Sequence, residues 1–334
     1  MSEPSYDLVT MGRVNMDLYA QDIGAEFADI TGFDAMVGGS PSNIAIATSR
    51  LGLQSIALTG VGDDRVGEFV LRYFRDEGVD TDYVAIKPGK LTSLALLGVQ
   101  PPSQFPLSFY REDPADIHLT VADVDAVPFD EVRSIQLSGN AFSRGTCADA
   151  ARHAARRARE FDMLSFLDLD LRPTDWDHAR EFGITIRSIL PLVDVAIGTE
   201  EEFYAALMSD PEIIMQGEPV PAHRHDELNE RVEALLGRGV SAIALKRGPR
   251  GVSILLDGER IDVPGFRVDV VNTVGAGDAF AAGLIRSRLA GMEWYKAARF
   301  ANACGAIEVT RHGCSAAFPT ETEVMAFADD HGGL

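Results

Sequence analysis

The sequence predicts an α/β fold built on a mostly parallel central sheet. Three observations carry that prediction. Short apolar runs recur along the 334 residues, amphipathic stretches of helical period separate them, and 46% of the residues are hydrophobic, enough for a substantial core. The runs Y-D-L-V-T-M-G (6–12), Q-S-I-A-L-T-G (54–60), S-I-Q-L-S-G (134–139), M-L-S-F-L-D-L (163–169), V-D-V-A-I-G (193–198) and S-A-I-A-L-K (241–246) read as strands. Residues 147–161, 226–237 and 293–310 read as helices between and after them. A further helix follows Gly39, with Ser40 as its cap, Pro41 in its first turn and Gly52 at its end.

Two stretches break this rhythm. Residues 13–37 and 91–118 are extended and less regular, with the β-type runs T-S-L-A-L-L-G-V and L-S-F-Y-R. They are expected to form a small sheet that projects from the main body and covers a site. The expected division is a core of residues 1–12, 38–90 and 119–334, with a discontinuous lid of residues 13–37 and 91–118. The proline-bearing stretch 209–226 reads as an exposed loop, and its His223 and His225 offer at most two metal ligands.

Composition narrows the function. A formal charge of −21 with 26 arginines and four lysines argues against a nucleic-acid partner, because phosphate backbones demand clustered basic residues. No apolar run approaches the roughly 18 residues of a membrane span, and the first residues lack the pattern of a signal peptide. Cys147, Cys304 and Cys314 have no metal-ligand spacing and cannot all pair, which fits a reducing cytoplasm. A cytoplasmic protein with small-molecule partners is therefore expected. Any anionic ligand must be held locally by arginines and backbone amides against the global field.

Neither G-x-x-x-x-G-K-[ST] nor G-x-G-x-x-G occurs. What stands out is N-T-V-G-A-G-D-A-F-A-A-G (272–283), a glycine loop that opens a helix and carries a carboxylate at its mouth. Amides at Ala276 and Gly277, with the helix dipole, suit charge developing on a transferred phosphoryl group. Asp278 beside them is placed to take the proton of an attacking hydroxyl, and the helix N-terminus is expected to keep it ionised. The same residue can equally serve as a plain helix cap.

The wider pattern resembles the ribokinase-like (PfkB) carbohydrate kinases. The resemblance rests on G-R-V-N-M-D (12–17), G-G-S-P-S-N (38–43), G-V-G-D-D-R-V-G (60–67), G-T-E-E-E-F (198–203), K-R-G-P-R-G (246–251), G-A-G-D-A-F-A-A-G (275–283) and A-N-A-C-G-A (301–306), in order along nearly the whole chain. It implies a three-layer α/β/α sandwich with a β-sheet lid, and transfer of the ATP γ-phosphate to a sugar hydroxyl with Mg²⁺. It also implies Asp278 as catalytic base, with Gly275, Ala276 and Gly277 as the anion hole. Asp17, Gly38, Gly39 and Asn43 fall at sugar contacts, Lys246, Gly248 and Gly251 along the nucleotide, Asn302 in the adenine pocket, and Glu201 near the magnesium through water. Relatives of this kind often dimerise through the lid.

Two positions depart from the pattern. Asn272 stands where the family carries an aspartate that supports a monovalent cation, which puts K⁺ activation in question. Gly198 stands where the family's N-x-x-E has asparagine.

Arginine placement speaks to the substrate. Arg13, Arg111 and Arg172 fall near the expected sugar pocket, and a sugar acid invites a guanidinium fork on its carboxylate. Each also has nearby acids with which to pair. Within the family, Y-R-E-D-x-A-D, L-D-x-R-P-x-x-W and I-G-T-x-E-E-F are most similar to kinases of 5-dehydro-2-deoxygluconate in inositol catabolism. On that resemblance Tyr110, Arg111 and Arg172 become contacts to the acid and keto groups. Kinases of 2-dehydro-3-deoxygluconate are the nearest alternative. Neutral-sugar kinases and a non-catalytic sugar-binding regulator are further alternatives.

Overall fold

The computed structural model describes residues 4–100 and 105–334. In chain order its strands are β1 (Tyr6–Met11), β2 (Asn15–Ala20), β3 (Phe33–Gly38), β4 (Ser55–Leu58), β5 (Gly60–Gly62), β6 (Ala85–Lys87), β7 (Ser93–Leu97), β8 (Leu107–Tyr110), β9 (Val132–Ser138), β10 (Leu164–Asp168), β11 (Val195–Thr199), β12 (Ala242–Lys246), β13 (Val252–Leu256) and β14 (Glu259–Val263). The helices are α1 (Ser40–Arg50), α2 (Arg65–Asp76), α3 (Val121–Asp125), α4 (Gly145–Glu160), α5 (Ala179–Ile189), α6 (Glu200–Leu207), α7 (Glu212–Met215), α8 (His225–Glu233), α9 (Ala276–Leu289), α10 (Trp294–Glu308) and α11 (Glu321–Asp330).

The central sheet runs β14-β13-β12-β11-β10-β9-β1-β4. Every run read as a strand contributes to it, and β4, β1, β9, β10, β11 and β12 are mutually parallel. The antiparallel pair β13–β14 extends one edge and is absent from the sequence reading.

Strand periodicity sends alternate side chains into two cores. Val9, Met11, Ile243 and Leu245 face one core with Ala154 of α4, Phe182 of α5 and Phe203 of α6. Leu8, Ala57, Ala242 and Ala244 face the other with Ile44 of α1, Ala281 of α9 and Phe300 of α10. The result is three layers, helix on sheet on helix. Helices α9 and α10 pack closely because Gly283 brings no side chain; a Cβ there would lie 2.9 Å from Ala301 Cα.

A second, smaller sheet has the order β3-β2-β7-β8. Strand β2 is antiparallel to β3 and parallel to β7, and β8 closes the order antiparallel to β7. The crossings between the two sheets are tied together by one buried carboxylate. Asp116 Oδ2 accepts from the Val14 amide (3.1 Å) and from Arg111 Nη1 (2.7 Å). At the return crossing Gly39 has φ +98°, and a Cβ there would lie 2.5 Å from the Arg13 carbonyl oxygen. Only glycine fits that turn.

Two local readings need correction. Ser40 does not cap α1: Gly39 takes the cap position and Ser40 is the first helical residue. The stretch 209–226 is not one open loop, since it contains α7 and the start of α8. His225 lies within 3.8 Å of Glu200, and no group of three metal-ligating side chains occurs among the described residues.

Candidate active site

A cavity of about 370 Å³ opens between the two sheets, at the C-terminal ends of the parallel strands. Open α/β sheets bind ligands at this end, where the chain leaves each strand for its helix. Strand β10 delivers Asp168, β11 ends in Thr199, and β12 ends in Lys246. The glycine loop supplies Gly275, Gly277 and Asp278, and the smaller sheet closes the opposite wall with Asp17, Leu97 and Phe109.

Asp278 lies in the first turn of α9, behind Gly275 in the left-handed conformation. A Cβ on Gly275 would approach Cys314 Sγ to 2.5 Å and Glu308 Oε1 to 2.8 Å, so the turn admits no side chain. Both carboxylate oxygens of Asp278 are held from α1. Ser40 Oγ donates to Oδ1 (2.7 Å) and Asn43 Nδ2 donates to Oδ2 (2.8 Å). The hydroxyl expected to cap a helix thus orients the candidate base instead.

The helix end is one of several influences on the charge of this carboxylate. Burial raises its pKa above the ordinary aspartate value, with Asp170 adding to the effect; the Ser40 and Asn43 hydrogen bonds act the other way. Such a carboxyl is a stronger base than a solvent-exposed aspartate. Of the expected anion hole, Gly275 and Gly277 line the cavity, while the Ala276 amide turns back toward the Thr273 carbonyl oxygen (3.4 Å).

Asp17 faces the cavity from β2. Its pKa is pushed up to about 7 by burial, against the hydrogen bond from Asn15 Nδ2 and the charge of Arg13. Gly38 stands across the strand pair, and a Cβ there would collide with the Asp17 carboxylate. Asp168 is likewise raised to about 7 by burial, although Lys246 Nζ lies 3.3 Å away. Asp170 behaves oppositely. Burial disfavours its charge, but Arg172 (2.8 Å), Arg13 and the Ser138 hydroxyl (2.6 Å) together hold its pKa low. Its backbone has φ +36°, an unusual conformation for a non-glycine residue.

The sequence-derived site residues separate into groups. Arg13, Asp17, Gly39, Asn43, Arg172, Lys246, Gly275, Gly277 and Asp278 surround this cavity, with Gly38 adjacent. Tyr110 and Arg111 do not; they line a neighbouring cavity. Arg111 is buried at the sheet crossing on Asp116, instead of pairing with Glu112 or Asp113. Gly248, Gly251 and Asn302 also lie outside the cavity wall. Asn302 Nδ2 donates to the Pro264 carbonyl oxygen (3.1 Å), close to where Gly251 packs.

Glu201, expected near magnesium, is not in the cavity wall. Glu202, not Glu201, lines the cavity with Thr199. Thr199 and Glu202 form a reciprocal capping box at the start of α6, and Glu202 Oε1 also accepts from the Leu171 amide (3.1 Å). The T-x-x-E spacing of a capping box was available in the sequence to make this choice. Ser40 is read from sequence only as a helix cap, and Asp168 is not singled out there.

Asn272 is fully buried and its amide is engaged at both ends. Nδ2 donates to the Gly313 carbonyl oxygen (2.8 Å) and Oδ1 accepts from the Val274 amide (3.0 Å). It braces the glycine loop and supplies no negative charge.

The fold and this cavity define a small-molecule phosphotransferase, and the comparisons agree. The pfkB family carbohydrate kinase model matches residues 6–321. The chain belongs to that family and is a carbohydrate kinase. It is 31% identical over 327 residues to 5-dehydro-2-deoxygluconokinase 2 of Bacillus cereus, covering 97% of this chain and 95% of that one. An E. coli protein described as a ribokinase II, solved with ATP and Mg²⁺, superposes with a TM-score of 0.84 at 23% identity, over 98% of this chain and 100% of the other. A Vibrio cholerae O395 fructokinase double mutant, solved with fructose, ADP and potassium, gives a TM-score of 0.81 at 23% identity over 98% and 99%. No helix among the described residues is long and apolar enough to cross a membrane.

Proposed function

We propose that this chain phosphorylates the primary hydroxyl of a keto sugar acid with ATP, and that the substrate is 5-dehydro-2-deoxy-D-gluconate, giving its 6-phosphate and ADP. The observation that carries the acid is the placement of Arg13 and Arg172 in the cavity that holds Asp278. The similarity to 5-dehydro-2-deoxygluconokinase 2 supports the particular acid.

In this reading the 6-hydroxyl of the sugar sits against Asp278, which Ser40 and Asn43 hold in place. The hydroxyl oxygen attacks the γ-phosphorus, its proton passes to an Asp278 carboxylate oxygen, and the bond to the ADP oxygen breaks. Charge on the transferred group is met by the α9 N-terminus and by Lys246, whose protonated form the nearby carboxylates favour despite burial. Asp17 takes sugar hydroxyls, and the smaller sheet closes over the cavity to exclude water. The nucleotide lies along the β12–β13 side, toward Gly248, Gly251 and Asn302.

Asp168 and Glu202 offer hard carboxylate oxygens at the strand ends, a donor set that fits magnesium bound largely through water. When bound, the ion neutralises phosphate charge. Asn272, neutral and with its amide already engaged, does not fit the role of an anionic potassium ligand, and no step depends on potassium.

The test is ADP release with Mg²⁺-ATP and 5-dehydro-2-deoxygluconate or 2-dehydro-3-deoxygluconate side by side. A higher kcat/KM for the first is expected. Preference for the second overturns the particular substrate, and turnover of only ribose or fructose overturns the sugar-acid reading.

A further inference from the structure

We infer that Arg144 is a specificity-determining residue, which together with Arg13 receives the carboxylate of the substrate at the end remote from the transferred phosphoryl group. The inference rests on the sugar-acid reading and assigns a residue to recognition that the sequence did not single out.

Beyond the cavity that holds Asp278 lies a second one of about 1010 Å³. Arg13 and Phe109 line both, so the Arg13 guanidinium, 5.5 Å from the Phe109 ring centroid, stands at the passage between them. Arg144 lies in the outer cavity at the N-terminal cap position of α4.

Two guanidiniums converge on Asp175 at this passage, and Asp170 also acts on Arg13. Arg13 Nη1 lies 3.8 Å from Asp175 Oδ2, and Arg144 Nη2 lies 3.7 Å from Asp175 Oδ1. Two guanidiniums thus share one carboxylate, which also accepts from Asn140 Nδ2. The other cations of the outer cavity have partners of their own: Lys90 pairs with Asp113 (2.6 Å) and Arg111 with Asp116 (2.7 Å). Glu112 is an exposed anion of the same wall.

Hydrogen bonding leaves a gap here. The Nε–H groups of Arg13 and Arg144 are both buried without a hydrogen-bond partner among the described residues. Buried donors are normally satisfied. A guanidinium binds a carboxylate through paired parallel N–H groups, and Asp175, at 3.8 and 3.7 Å, engages neither guanidinium in that way.

The placement requires the substrate to reach from Asp278 to the passage. An open six-carbon chain spans roughly 6–7 Å from end to end on standard C–C bond lengths. With C6 at Asp278, the C1 carboxylate points away from the glycine loop and toward the passage. Arg144 also donates through Nη2 to the Arg111 carbonyl oxygen (3.2 Å), just past β8, and so links the core to the smaller sheet.

The experiment is steady-state kinetics of the full chain and of the Arg144→Gln and Arg144→Lys variants. The substrates are 5-dehydro-2-deoxygluconate and its neutral analogue with a hydroxymethyl group in place of the carboxylate. Arg144→Gln is expected to raise KM for the acid about tenfold or more, with kcat, KM for ATP and KM for the neutral analogue nearly unchanged. Arg144→Lys is expected to recover only part of the loss, because an ammonium cannot fork. An unchanged KM for the acid, or an equal rise for acid and neutral analogue, overturns the inference while leaving the kinase reading intact. If the unaltered chain turns over neither sugar acid but does accept neutral sugars, the sugar-acid reading fails and this assignment falls with it.

Discussion

Replacing Ser40 with alanine tests whether the candidate base is tuned from α1. The hydroxyl donates to Asp278 Oδ1 at 2.7 Å and lies in the first turn of a helix, where alanine is well tolerated. A hydrogen bond to a charged group contributes about 1.5–3 kcal/mol, part of which the neutral acid retains. A net loss of roughly 1.4 kcal/mol in favour of the anion corresponds to one pH unit. The sign follows from what the hydroxyl stabilises. Burial already raises the Asp278 pKa and Ser40 opposes it, so removing Ser40 raises it further. The acid limb of kcat/KM is therefore expected to move to higher pH by roughly one unit, giving about a tenfold loss below the limb and little change well above it. The assay is a pH profile of coupled ADP release at limiting sugar acid. An unmoved limb, or an equal loss at every pH, refutes the tuning argument.

Two further outcomes follow from the same geometry. Asp278→Asn is expected to lower kcat by about 10²–10⁴ with modest change in either KM, measured by the same assay; near-normal turnover would remove Asp278 from the mechanism. Glu308→Gln is expected to raise thermal stability at pH 8 more than at pH 5. Glu308 is fully buried, neither of its oxygens has a hydrogen-bond partner among the described residues, and burial with the charge of Asp278 raises its pKa well above the ordinary value. The folded chain therefore keeps a proton that the unfolded chain releases, and stability present below the ordinary glutamate range is lost as pH rises toward the folded value. Melting curves of the two chains that stay parallel across pH would refute this.

The sequence made the parallel sheet legible because each buried strand is a short apolar run bounded by turn residues. The β13–β14 hairpin escaped notice even though Asp257-Gly258 joins the two strands, a strong local hairpin signal. The glycine loop and Asp278 were readable because helix N-termini that hold anions need a local pattern. Ser40, Asp168 and Arg144 were not, since their partners lie far away in sequence: Ser40 meets Asp278 across 238 residues. Arg111 has a partner that its local sequence does not show. Its position beside a β-run of the smaller sheet suggests a ligand contact, and it also pairs with Asp116 at the crossing between the sheets while lining the outer cavity. Glu201 and Glu202 are adjacent in sequence, and the capping box belongs to Glu202, which lines the cavity.

The partnership between α1 and Asp278 has a consequence for how the chain is made. Ser40 and Asn43 emerge from the ribosome early, and the residue they orient lies in the last fifth of the polypeptide. A nascent chain stopped before residue 276 contains every strand of the central and the smaller sheet, yet has neither α9 nor a carboxylate for α1 to hold. Contacts this distant in sequence form late and slowly. Asp278 thus reaches Ser40 and Asn43 only late in synthesis, and a prematurely terminated product carries both sheets without the candidate base.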